Sequence, residues 1–139
     1  MSLLAIARAK LPPATELRQR ALELKLQHAE RLDRYTDQEL ARVYNGVGPD
    51  RWSDKVRKLL SKVLLPALPA VLVHDVDYDI GGDYHDFLVA NRTLADNVNR
   101  IAGTYPWYSR TRRRLRRLAP LMEAATTAFG WAGFHRTTA

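Results

Sequence analysis

The chain has 139 residues, no cysteine and a net charge of +7. This length predicts one domain with a single core, and the lack of cysteine excludes a disulfide framework and any thiolate metal or redox site. The apolar start, Met1 to Arg8, is too short for a signal peptide, and we expect no transmembrane segment.

Three helical segments are predicted before the middle of the chain. After an N-terminal arm, residues 1–13, apolar residues recur at three- and four-residue steps and predict a helix from Ala14 to Tyr35. His28 falls on its apolar face, where a packed histidine is favoured over a ligand. Thr36 and Glu39 form a capping-box pattern for a short helix ending at Val43. A further helix is predicted from Trp52 to Leu65.

The loop between these helices contains two glycines, Gly46 and Gly48, that can turn backbone carbonyls inward. Carbonyl oxygens suit a hard cation such as calcium. Taken alone, the loop is better explained as a tight connection built from ordinary turn residues, and the calcium interpretation stays open beside it.

A buried helix is predicted from Ala67 to Ile80, ended by Gly81 and Gly82. His74 and Asp75 follow four apolar residues and are therefore carried towards the interior, where an unpaired charge is costly. This placement favours a functional pair over a surface accident.

Together the loop and this helix resemble the active site of the phospholipase A2 superfamily, which carries Tyr-x-Gly-x-Gly followed by His-Asp-x-x-Tyr. The disulfide-free branch, found in parvovirus capsid and bacteriophage proteins, is the most similar. The resemblance covers Tyr44 to about Ile101 and implies an all-α domain with a site-bearing core, residues 44–102, built on an antiparallel helix pair. It also implies Ca²⁺ as cofactor, held by carbonyls and one carboxylate from these residues: Tyr44, Gly46, Gly48 and Asp75.

The same resemblance assigns His74 as the general base and Tyr78 as a hydrogen-bond donor to the residue that supports the histidine ring. On the amphipathic helix predicted from Asp83 to Ala102, the family's supporting aspartate falls at Asn91. Asp96 is the second choice for that role, although five residues along a helix place it on a different face.

These assignments imply calcium-dependent hydrolysis of the sn-2 ester of phospholipids, in a phage or virus particle or in the cytoplasm of the producing cell. Asn91 leaves the activity in question, because asparagine can hydrogen-bond but carries no charge. The alternative is a non-catalytic virion structural protein of the same fold that docks through its C-terminal helix.

That last helix, predicted from Trp107 to Phe129 within a basic segment 107–130, holds most of the positive charge. From Pro106 onwards there are seven arginines and one acid, a balance of +6 out of the total +7. The helix is equally well explained as a solvated, arginine-rich packing helix or as a contact surface. The contact would be to a phospholipid membrane surface, nucleic acid or other virion proteins, through Trp107, Arg110, Arg113, Arg114 and Arg117. The inward stripe of the helix is predicted to include Leu115, Ala125 and Phe129, and the tail from Gly130 to Ala139 is expected to be loose.

Two other sites match less well. The spacing of Asp75, Asp77 and Asp79 resembles an EF-hand loop, but Ile80 stands where glycine is needed. The order of His28, His74-Asp75 and Asp96 resembles a metal-dependent phosphohydrolase, and that reading leaves the glycine loop unexplained.

Overall fold

The computed structural model describes residues 12–44 and 64–135, and every element in these ranges is helical. The protein is a single small all-α domain, as the sequence predicts. Five α-helices follow one another in the described ranges: α1 (Ala14–Glu23), α2 (Asp37–Val43), α3 (Leu68–Ile80), α4 (Tyr84–Ala102) and α5 (Arg110–Phe129). Short 3₁₀ helices occupy Ala29–Arg34, Leu65–Ala67 and Trp131–Gly133. None of the described helices is long and apolar enough to cross a bilayer.

Three sequence predictions concern residues outside the described ranges. The glycine loop, with Gly46 and Gly48, lies there. So do nearly all of the helix predicted from Trp52 to Leu65 and most of the N-terminal arm.

The predicted single helix from Ala14 to Tyr35 is wrong. Helix α1 ends at Glu23, and Lys25 and His28 adopt positive φ angles of 53° and 66°. Asn97 of α4 explains the break: its side chain accepts a hydrogen bond from the backbone N–H of Gln27 at 2.8 Å and donates to the Gln27 carbonyl at 3.0 Å. Because Asn97 is buried, these bonds replace helical ones at little cost. His28 is therefore not on a helical face.

Helices α3 and α4 form an antiparallel pair because two glycines reverse the chain between them. Gly81 and Gly82 have φ angles of 72° and 141°, which side chains disfavour. The carbonyl of His135 lies where a Cβ on Gly81 would stand, 1.7 Å away. Asp83 then caps α4, accepting a hydrogen bond from the Asp86 N–H at 2.9 Å. The reversal sets residues of α3 opposite residues of α4.

The main core lies among all five α-helices and consists chiefly of aliphatic side chains. Its fully buried members include Leu17, Leu32, Leu40, Leu68, Leu72, Val73, Val76, Val98 and Leu115. A second, aromatic cluster packs Phe87 and Phe134 with the partly buried rings of Tyr78 and Trp131. Burying a ring such as Phe87 contributes about 1.5–3 kcal/mol.

The C-terminal part departs from prediction in three ways. Helix α5 begins at Arg110, after the N-cap Ser109, so Trp107 precedes it. Phe129 is 76% exposed and Ala125 is also exposed, rather than inward, because the helix buries Leu115 and Ala119 on a different face. The predicted loose tail is ordered to His135, since the buried ring of Phe134 holds it against the aromatic cluster.

Candidate active site

The centre of the site is the side chain of Asn91, which is completely buried on α4. Its Oδ1 lies 3.0 Å from the Nε2 of His74 and accepts a 2.7 Å hydrogen bond from the Tyr78 hydroxyl. Its Nδ2 donates to the Thr127 hydroxyl oxygen at 3.3 Å. A buried amide is costly unless it is hydrogen-bonded, and here both ends of the amide have partners.

These contacts fix the tautomer of His74. An amide oxygen can only accept a hydrogen bond, so the Nε2 of His74 carries the proton and its Nδ1 keeps the lone pair. The ring of Tyr78 lies one helical turn along, with its centroid 4.1 Å from the imidazole centroid. Packing and hydrogen bonding together hold the imidazole in one orientation.

Electrostatics keep His74 uncharged. The residue is 8% exposed, and burial lowers the pKa of His74 from 6.5 to about 4, against the opposing effect of its hydrogen bond to Asn91. At neutral pH the Nδ1 lone pair is therefore available as a base. The base is weak, because burial disfavours the imidazolium form and, among the described residues, no carboxylate is bonded to the ring.

Asp75 and two tyrosines surround the neighbouring turn of α3. Burial and the negative charge of Asp75 raise the pKa of Tyr44, at the end of α2, to about 12. Burial and the same charge also raise the pKa of Tyr78, which stays a protonated donor to Asn91. Tyr44 and Asp75, assigned by the resemblance to opposite halves of the motif, are thus close enough to interact.

An open cleft of about 560 Å³ borders this group. Asp75 and Tyr78 form part of its wall, together with Tyr35, Glu39, Arg42, Val43, Asp79 and Gly133. Three of the lining residues carry carboxylates, Glu39, Asp75 and Asp79, and the Asp79 carboxylate accepts a hydrogen bond from the Tyr35 hydroxyl at 2.7 Å.

The donor chemistry around Asp75 fits calcium in part. Within residues 12–44 and 64–135, no group of three or more histidine or acidic side chains is placed to hold a metal ion. The implied ligand set needs only one such carboxylate, that of Asp75, together with backbone carbonyls. Of those carbonyls only that of Tyr44 falls in the described ranges.

His28 and Asp77 belong to a separate, structural cluster. The Oδ2 of Asp77 lies 2.9 Å from the Nδ1 of His28, and its Oδ1 lies 2.9 Å from a guanidinium nitrogen of Arg31. The Asp77 side chain is 2% exposed, so both contacts offset the cost of burying its charge. The cluster joins the 3₁₀ helix Ala29–Arg34 to α3.

The structure excludes both the EF-hand and the metal-dependent phosphohydrolase interpretations. An EF-hand needs its acidic residues on a loop, whereas Asp75, Asp77 and Asp79 lie on helix α3. The phosphohydrolase pattern needs His28 beside His74, and His28 is bonded to Asp77 instead. Neither hypothesis survives in this structure.

Asp96 lies apart from the imidazole. Its side chain is 42% exposed and sits 3.7 Å from Arg92 on the outside of α4. The structure thus brings together His74, Tyr78 and Asn91 but not Asp96, because α4 turns the two positions to different sides.

Thr127 is the contact that sequence reasoning did not identify. It lies on α5, outside the span that resembles the phospholipase family, yet its hydroxyl is the partner of the Asn91 amide nitrogen. Nothing in the run Ala124 to Ala128 distinguishes Thr127 from Thr126, whose hydroxyl bonds the Met122 carbonyl of its own helix at 2.8 Å. Only the packing of α5 on α4 separates them.

The chain was compared with known protein families, sequences and structures. No protein-family model, no curated protein sequence and no solved structure matches the chain.

Proposed function

We propose that the protein is a calcium-dependent phospholipase of the A2 type that hydrolyses the sn-2 ester of phospholipids and serves a phage or virus particle. The observation that carries the proposal is the convergence of His74 and Tyr78 on one oxygen of Asn91. A packing role alone does not require a buried histidine with a fixed tautomer beside an open cleft that contains Asp75.

In the proposed reaction, the Nδ1 of His74 takes a proton from the water that attacks the ester carbonyl. Asn91 holds the Nε2–H tautomer, and Tyr78 holds the Asn91 oxygen in place. The proton on Nδ1 then passes to the leaving alkoxide oxygen. The products are a fatty acid and a lysophospholipid.

Asp75 and the carbonyls of Tyr44, Gly46 and Gly48 would hold the calcium ion. The chemistry that Ca²⁺ supplies when bound is polarisation of the ester carbonyl and stabilisation of the oxyanion.

A second candidate is a non-catalytic structural component of a virion with the same helical core. Asn91 favours it, since an amide gives the imidazolium no charge partner and the pKa of His74 is as low as about 4. The two candidates differ in turnover.

The deciding experiment measures fatty-acid release from mixed anionic vesicles in calcium and in chelator. For the phospholipase, release requires calcium, and His74→Gln lowers it by about 10²–10⁴-fold because general-base catalysis is lost. His85→Gln is the matched control, since His85 is exposed on α4 and should keep full activity. If folded wild-type protein releases no more than His74→Gln, the structural component is the better account.

A further inference from the structure

The outward face of α5 carries four arginines whose side chains form no hydrogen bond or ion pair with other described residues. Positions 110, 113, 114 and 117 fall on one side of a 3.6-residue helix, and all four side chains are exposed. We call Arg110, Arg113, Arg114 and Arg117 the arginine face. Within the described ranges none of the four forms an ion pair.

A nearby arginine shows what a structural role looks like on the same helix. Arg112 donates from its guanidinium to the Tyr105 carbonyl at 3.1 Å and is only half-exposed. The arginine face has no such bond, and Glu123 is the only acid on α5. Four positive charges therefore stand towards solvent without compensation on their own helix.

Large apolar side chains accompany these charges. Trp107 is 82% exposed just before the helix, and Leu121 is 64% exposed one turn beyond Arg117 on the same side. Exposed apolar groups next to arginines are typical of helices that lie in a membrane interface, where the aromatic ring and the leucine side chain enter the headgroup region. A nucleic acid would also bind the arginines through its phosphates. It would make no favourable contact with the exposed Leu121, because leucine has no ring that could stack on a base.

The inward side of the same helix reaches the candidate site. Thr127 bonds Asn91, and the end of α5 approaches the Tyr78 hydroxyl so closely that a Cβ on Gly130 would lie 2.2 Å from it. The helix that carries the arginine face therefore also contacts the candidate site, through its C-terminal end.

We propose that α5 is a membrane-docking helix that binds an anionic phospholipid bilayer through the arginine face, with Trp107 and Leu121 in the headgroup region. This docking proposal rests on the proposed phospholipase function, because it identifies the membrane that would present the phospholipid substrate.

The test measures binding of the His74→Gln protein, so that hydrolysis does not change the vesicles. Co-sedimentation with vesicles containing one third phosphatidylglycerol is compared with pure phosphatidylcholine vesicles at low salt. Each basic residue near an anionic surface contributes about 1 kcal/mol, so Arg113→Gln/Arg114→Gln should weaken binding to the anionic vesicles by about 30-fold. The double variant Arg20→Gln/Arg92→Gln changes the net charge equally and should bind as the parent does.

Equal binding to both kinds of vesicle, or an equal loss of binding in the control double variant, would overturn the proposal. It would also be overturned if the protein bound a duplex DNA of similar charge more tightly than the vesicles and the α5 substitutions weakened that DNA binding. Hydrolysis of a short-chain phospholipid kept below its micelle concentration needs no surface. Loss of docking with that hydrolysis intact is therefore distinguishable from failure of the proposed function.

Discussion

Asn91 does part of the work that an aspartate would do at its position. Its oxygen fixes the Nε2–H tautomer of His74, but it adds no negative charge beside the ring. In a serine-protease triad, the corresponding loss of charge lowers turnover by about 10⁴. The residue that completes the site is thus also the residue that limits it.

Asn91→Asp should increase hydrolysis, by about 10²-fold or more. A carboxylate stabilises the imidazolium and raises the pKa of His74 from about 4, so the acidic limb of kcat/KM moves to higher pH. The Thr127 hydroxyl, which now accepts from the amide, can donate to the second carboxylate oxygen. NMR titration of His74 and the vesicle assay measure the two effects. An unchanged rate, or sensitivity to Asp96→Asn alone, would assign the supporting role to Asp96.

Site residues could be predicted from the sequence only where the spacing of residues along a single helix, or along two successive helices, places them together. His74 and Tyr78 are one turn apart on an apolar helix, and Asn91 lies on the facing stripe of the next helix, so periodicity with the family motif predicts all three. The pairing of His28 with Asp77 could not be predicted, because it depends on a positive φ at His28 and on tertiary contacts far along the chain.

Among the elements, α5 supports α4 at the point where the site is built. The Thr127 hydroxyl accepts a hydrogen bond from the Asn91 Nδ2, and this bond opposes rotation of the amide that would present Nδ2 to His74. Thr127 is therefore a positioning residue that acts through Asn91. Its contribution depends on how α5 packs against α4, which explains why the sequence of α5 alone does not indicate it.

Thr127→Val should lower phospholipid hydrolysis by about tenfold, the effect of losing one hydrogen bond of about 1.4 kcal/mol in the transition state. Thr127→Ser keeps the hydroxyl and should restore the rate. The pH dependence of hydrolysis is the readout that a purely structural role would not move, since a rotated amide changes the pKa of His74. Thr126→Val is the control on the same helix. A similar loss in Thr126→Val or in Thr127→Ser would contradict the positioning role.

Elements differ in how far sequence determines them. Helices α3 and α4 end or begin at glycines and capping residues, and their limits match the prediction within a few residues. Helix α1 ends early although no glycine or proline lies nearby, because Asn97 binds the peptide group of Gln27. Local signals predict the first kind of boundary, whereas the second is set by a distant helix.

At the scale of the whole molecule, the site is part of the core and not an addition to its surface. His74 and Asn91 are buried between α3 and α4, in contact with the aromatic cluster through Tyr78. The proposed chemistry and the stability of the fold therefore depend on the same side chains. The stability of the fold must respond to the protonation of His74.

The sign of that response follows from linkage. The pKa of His74 is 6.5 in an unfolded chain and about 4 in the folded protein, so between these values the unfolded state binds more protons. The free energy of unfolding should therefore fall as pH falls through this window, by roughly 3 kcal/mol in total from this residue. More than about one pH unit above 6.5 the residue is mostly neutral in both states and contributes little pH dependence.

Comparing His74→Gln with the wild type isolates this effect, since the carboxylates titrate in both proteins. In urea denaturation at pH 7 and pH 4, the free energy of unfolding of the variant should fall by about 3 kcal/mol less than that of the wild type. In the Asn91→Asp protein, the pH range over which the free energy of unfolding falls should be narrower than in the wild type and should end at a higher pH. The reason is that the carboxylate raises the folded-state pKa of His74. Parallel losses of stability in wild type and His74→Gln would mean that His74 is solvated enough to titrate normally. The conclusion that His74 is a weak base would then be wrong as well, because it and the stability prediction both depend on the burial of the same imidazole.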